Sequence, residues 1–230
     1  ALSRSLNVPM ARMPSTYGQP KFYAQMQDIG MTTLSQSADH YGLSIILGGA
    51  ETTLWDLAAM YGGMGRNLLL YDSLGQAYDS RAFRHPSLEH SDAPYTVGEN
   101  DTLDSSPISA AAAWFTLKAM LNVERPFDER YWRSFSSAQR IAWKTGTSYG
   151  FRDAWAVGMN TDYVVCTWVG NADGEGRPGL VGQRAAAPIL FQIFDALRAQ
   201  PRWFDKPDAE LEKIQVSRRS GYRATPAVPD

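Results

Sequence analysis

Between positions 142 and 169 the chain passes three times through Trp, Thr, Val and Tyr, and this run constrains the fold more than any other feature. Residues 142–148, 153–159 and 163–169 carry the pattern, separated by Tyr149-Gly150-Phe151 and Asn160-Thr161-Asp162. β-Branched and aromatic residues suit a half-buried pleated surface, and connections this short join antiparallel neighbours. The stretch predicts a three-stranded antiparallel meander. A helix over 187–198, with Leu190, Ile193, Phe194 and Leu197 on one face, is placed to cover it.

Upstream, the spacing is helical. Residues 1–13 read as a helix stopped by Pro14; a second opens at Pro20 and ends at Gly30, with Phe22, Met26 and Ile29 on one face. A loop is expected from Thr32 to Gly49. Thr52 or Thr53 caps the next helix, in which Leu54, Leu57, Ala58 and Tyr61 recur at helical spacing. Residues 62–105 are rich in Gly, Asp, Ser and Pro without a period and read as one long loop. Ser106-Pro107 is expected to open a helix running to Leu121. Helices, then an antiparallel sheet, then a covering helix make an α+β chain, not an alternating βαβ one. The polar tail after residue 200, with Ser217-Arg218-Arg219-Ser220, reads as a linker. Residues 1–200 are thus expected as domain and 201–230 as a tail towards a further module.

Twenty-two basic against 24 acidic residues, a net charge of −2, offer no polyanion-binding surface, so nucleic acid is excluded as a partner. A single cysteine, Cys166, excludes a disulfide framework, and its place among apolar residues marks it as structural. His40, His85 and His90 lack metal-ligand spacing with carboxylates or Cys166, so neither metal nor cofactor is expected. No apolar run is long enough to span a bilayer, and the first residues are not a signal peptide. The abrupt opening inside a helix suggests an excerpt of a longer protein.

The sharpest chemical feature is Lys144-Thr145-Gly146-Thr147 on the first predicted strand. Such a tetrapeptide arises by chance in roughly one chain in a hundred of this length. Lys144 offers a positive charge, Thr145 and Thr147 offer hydroxyls, and Gly146 between them lets a ligand or another backbone come close. A strand so built can hold a carboxylate while pairing with its owner edge to edge. The alternative is an ordinary edge strand with a surface lysine. Ser5-Leu6-Asn7, taken alone, is as well explained by a turn or helix cap.

Taken together, these segments resemble a known family. Ala1 to Pro9, around Ser5-Leu6-Asn7, is similar to the Ser-x-Asn segment of the bifunctional (class A) penicillin-binding proteins. Residues 47–61 resemble the helix that follows it, and residues 143–158 that class's version of the Lys-Thr-Gly motif. The similarity extends to about residue 198. It implies the transpeptidase fold shared with serine β-lactamases, here incomplete, without its first strands and nucleophile-bearing helix. The family also needs Ser-x-x-Lys. Three residues before Lys21, Lys118, Lys144, Lys206 and Lys213 stand Gly18, Phe115, Ile141, Trp203 and Glu210, so that motif is absent.

The resemblance implies D,D-transpeptidation: a serine attacks the penultimate D-alanine of a peptidoglycan stem peptide, and a neighbouring amine resolves the acyl-enzyme. β-Lactams would trap the serine. It further implies that Ser5 relays a proton, that Asn7 bonds the donor peptide's amide, and that Lys144 attracts the terminal carboxylate. Thr145 and Thr147 would bind that carboxylate, and the Thr147 N–H would form half of an oxyanion hole. An upstream membrane anchor and glycosyltransferase, on the periplasmic face of the cytoplasmic membrane, are implied as well. Lacking the nucleophile, these 230 residues alone are expected to be inactive. Lacking neighbours, the strand at 163–170 is expected to leave an open edge prone to self-association. The rivals are a β-lactamase or D,D-carboxypeptidase on the same fold, and a non-catalytic peptidoglycan-binding module.

Overall fold

The computed structural model describes residues 1–89, 95–125, 139–197, 202–218 and 221–224. Its centre is the expected meander, β3 (Ala142–Thr147), β4 (Asp153–Met159) and β5 (Val164–Gly170), antiparallel in the order β3-β4-β5. The turns have local causes. Ser148 closes the first hairpin, its Oγ accepting from the Asp153 N–H at 2.9 Å. Asn160 closes the second, its Oδ1 accepting from the N–H groups of Asp162 and Tyr163 at 2.9 and 2.8 Å. An Asn side chain that mimics a backbone acceptor in this way is a strong turn former.

Two helical layers cover the sheet. On one face lie α4 (Leu54–Leu70) and α5 (Ala110–Leu121), whose Met64, Leu68, Ala113, Leu117 and Met120 pack with Ala142 and Met159. On the other lie α6 (Gly182–Ala185) and α7 (Ala187–Ala196). There Leu190, Phe191 and Phe194 pack on Trp143, Ala156 and Val165. The Trp143 and Phe191 rings meet edge to face, centroids 5.0 Å apart. Each buried apolar side chain of this kind contributes about 1.5–3 kcal/mol. Before α4 come α1 (Asn7–Tyr17), α2 (Gln19–Asp28) and the short α3 (Ala38–Tyr41). The fold class is α+β, and among the described residues no helix is long and apolar enough to cross a membrane.

Several expected boundaries move. Pro14 does not stop α1 but lies within it, buried. α4 does not yield to a loop at Gly62 but runs to Leu70. Glycine costs about 1 kcal/mol in a helix interior, yet here it allows contact: a Cβ on Gly63 would lie 2.1 Å from the Phe83 ring. The loop after α4 contains a two-residue ladder, β1 (Tyr78–Asp79) with β2 (Thr102–Leu103), anchored by the buried Asp79 carboxylate, which accepts from the Tyr95 hydroxyl. α5 begins not at Pro107 but at Ala110, where Ser109 Oγ accepts from the Ala112 N–H at 3.2 Å. α7 ends at Ala196; Arg198, Arg219 and Ser220 lie outside the described residues. Residues 202–211, expected as free tail, lie against the domain. Phe204 is buried in the α4–α5 core, and Arg202 donates to Thr161 Oγ1 at 3.0 Å.

Candidate active site

Among the described residues β3 pairs only with β4, which leaves its other edge open. Strand alternation divides its side chains. Lys144 and Gly146 share the α4–α5 face with Ala142, while Thr145 and Thr147 share the α6–α7 face with Trp143. Lys144 is half-buried opposite Val157, and its Nζ donates to the Thr145 carbonyl at 2.8 Å. Burial lowers its pKa, because the desolvated ammonium is disfavoured. Beyond Val157 in the same cross-strand row lies Cys166, its thiol pushed up to about 12 by burial. The Tyr61 hydroxyl of α4 is also raised to about 12, by burial first and then by Cys166. The next row sets Gly146 opposite Trp155, and Trp155 beside Trp168, ring centroids 6.3 Å apart. The indole N–H of Trp168 donates to Asp153 Oδ1 at 2.9 Å.

Thr147 is exposed at the end of β3, and its Oγ1 accepts from the Gly182 N–H at 3.1 Å. Gly48 comes close to the same strand end: a Cβ there would lie 3.7 Å from the Thr147 carbonyl oxygen and from Ser148 Cα. Gly48 follows the 310 turn Gly42–Ile46, against which α1 packs, so α1 and the end of β3 are linked through this turn. Ser5 and Asn7 stand at the start of that segment. Ser5 ends the 310 turn Leu2–Arg4 in the left-handed region, φ 51° and ψ 41°, and Asn7 opens α1. Both are exposed. Among the described residues no hydrogen bond joins either side chain to Lys144.

No family model matches the chain. Penicillin-binding protein 1C of Escherichia coli (strain K12) is 33% identical to it over 198 residues, 86% of this chain and 22% of that protein. The chain is homologous to the penicillin-binding proteins. Penicillin-binding protein 1B of Vibrio cholerae is 26% identical over 175 residues, 76% of this chain and 21% of that one. The crystal structure of penicillin-binding protein 1A from Haemophilus influenzae matches with a TM-score of 0.60 at 19% identity, covering 97% of this chain and 37% of that one. The fold is therefore shared with a penicillin-binding protein, and the chain spans about a fifth of the length of the curated relatives it matches.

Within this penicillin-binding-protein homologue, sequence reasoning missed Gly48 and Gly182, which frame the end of the Lys-Thr-Gly strand from two sides. The one available signal for Gly182 was a glycine just before Gln183-Arg184-Ala185-Ala186-Ala187, at the entry to a helical run. Among the described residues no group of His, Cys, Asp and Glu could hold a metal ion.

Proposed function

We propose that this chain is the part of a peptidoglycan D,D-transpeptidase domain that holds the donor stem peptide. The observation that carries the proposal is the edge of β3 left open among the described residues, where Lys144, Thr145 and Gly146 lead to the exposed Thr147 at its end. A peptide entering this edge finds backbone groups that no described strand pairs and, at Thr147, a hydroxyl for its terminal carboxylate. Lys144 adds a fixed charge whose solvation is already reduced, which strengthens its attraction for an anion. The Thr147 N–H would supply one oxyanion donor. Ser5 and Asn7 would close over the substrate as proton relay and amide anchor, brought to β3 through α1 and the Gly42–Ile46 turn. The nucleophilic serine would come from residues outside these 230, which contain no Ser-x-x-Lys. The homology supports the same reading, together with β-lactam binding and a place on the periplasmic face of the cytoplasmic membrane.

The outer edge of β5 is open among the described residues, and Trp168 beside it is 37% exposed. Strand pairing at this edge, with residues outside these 230 or with a second copy, would satisfy its backbone groups.

Fluorescent penicillin tests the proposal. The full-length protein should form a covalent, denaturation-resistant adduct, and the 230-residue chain alone should form none. A full-length protein that stays unlabelled would leave a binding module as the reading, and a labelled short chain would place the nucleophile within it.

A further inference from the structure

We propose that Gly182 is a positioning residue that fixes the Thr147 hydroxyl as a hydrogen-bond donor to the substrate carboxylate. This rests on the functional reading above. Gly182 opens α6, so its N–H is one of the first-turn donors without a partner inside the helix. It donates to Thr147 Oγ1 at 3.1 Å, across 35 positions of sequence. A hydroxyl has one proton and two lone pairs. With the backbone N–H occupying a lone pair, the rotor is held and the proton is directed elsewhere. Among the described residues nothing accepts that proton, and Thr147 is exposed. The arrangement suits an acceptor arriving from solvent, and a carboxylate is the strongest such acceptor on offer. A free threonine would have to be oriented at the moment of binding; this one is oriented beforehand.

The same geometry explains why the position is glycine. A Cβ on residue 182 would lie 2.4 Å from the Gly146 carbonyl oxygen and 2.5 Å from that of Trp155. It would also stand 3.0 Å from Thr145 Cβ. Gly146 and Trp155 are a register pair of the sheet, so neither oxygen can yield cheaply. Any side chain must push α6 off the strand and break the bond to Thr147. Gly182 touches no substrate; it acts through Thr147.

The test uses the full-length protein and two probes, a penicillin with its free carboxylate and the same penicillin as its methyl ester. The readout is the ratio of their acylation rates. Gly182→Ala should lower this carboxylate preference about tenfold or more, the factor expected when one hydrogen bond to a charged group is lost. Thr147→Val should do the same, and adding Gly182→Ala to Thr147→Val should change the ratio no further. Thr147→Ser should retain it. Because Gly182→Ala also strains the packing, a second variant replaces the Gly182 backbone amide with an ester, which removes the N–H and adds no bulk. Full carboxylate preference in that ester variant overturns the proposal. So does a Gly182→Ala effect equal for both probes, or one that persists undiminished beside Thr147→Val. A wild-type protein that neither probe acylates sinks the functional reading and this inference with it, whereas every other adverse outcome sinks the inference alone.

Discussion

The carboxylate of Glu210 accepts from the hydroxyl of Tyr78, 132 positions earlier in the chain. The other carboxylate oxygen accepts from the Ala111 N–H at 2.7 Å, while Tyr78 Oη accepts from the Ala110 N–H at 2.9 Å. Two orphan donors of the first turn of α5 are thereby satisfied from distant sequence, and the negative charge sits at the positive end of the helix dipole. Six residues before Glu210, Phe204 enters the α4–α5 core.

Residues 202–211 therefore belong to the folding unit. Phe204→Ala should cost about 3–5 kcal/mol and Glu210→Ala about 1–2 kcal/mol. Urea unfolding measures both, and a Phe204→Ala midpoint equal to wild type would show that the strap is not part of the core.

Neighbouring glycines of α4 should respond in opposite directions. A Cβ on Gly62 comes within 3.2 Å of the Arg66 guanidinium, which donates to the Ala82 and Arg84 carbonyls and need give by only a few tenths of an ångström, whereas one on Gly63 meets the Phe83 ring at 2.1 Å. Gly62→Ala should stabilise by about 0.5–1 kcal/mol through helix propensity. Gly63→Ala should destabilise by about 1–3 kcal/mol through overpacking. Thermal melting of the two variants side by side checks the sign of each.

Alkali should unfold the protein through two half-buried acids. Cys166 and Tyr61 are raised from 9.0 and 10.0 respectively, each to about 12. The unfolded chain releases these protons first, so the stability tied to keeping both neutral is full below pH 9 and is lost as pH rises towards 12. Cys166→Ala and Tyr61→Phe should each flatten the fall of stability with pH over that window, whatever their effect at pH 7. An unchanged slope in both variants would contradict the burial of these groups.

Lys144 should reveal itself by separating stability from activity. Its ammonium is disfavoured by burial, so at neutral pH it costs stability, a cost relieved only as pH rises through its lowered pKa. Lys144→Met should not lower the urea midpoint at pH 7. In the full-length protein the same change should slow penicillin acylation by orders of magnitude. Unchanged acylation at equal stability would reduce Lys144 to a structural lysine.

What could be read from sequence was what is encoded locally. The three strands emerged within a residue of their limits because alternation, Ser148 and Asn160 all act over a few positions. Lys144 to Thr147 was legible because four adjacent residues carry the pattern. The continuation of α4 past Gly62 was not, since its cause is Phe83, brought back by a later loop. Nor was the docking of residues 202–211, because neither Phe204 nor Glu210 sits in a periodic run. Gly182 escaped for the same reason: its partner, Thr147, is remote in sequence.

The order in which the chain is made gives the Glu210–Tyr78 link a further meaning. Among the described residues every pairing in the main sheet joins consecutive strands, so its hairpins close over short loops soon after they leave the ribosome. Tyr78 and α5 are synthesised far earlier than the residues that secure them. Pulse-labelled amides of Val157 and Val165 should gain protection before that of Ala111. Until Phe204 and Glu210 arrive, the growing polypeptide holds a paired meander beside an unsealed hydrophobic chamber, and that interval is when a chaperone would find it.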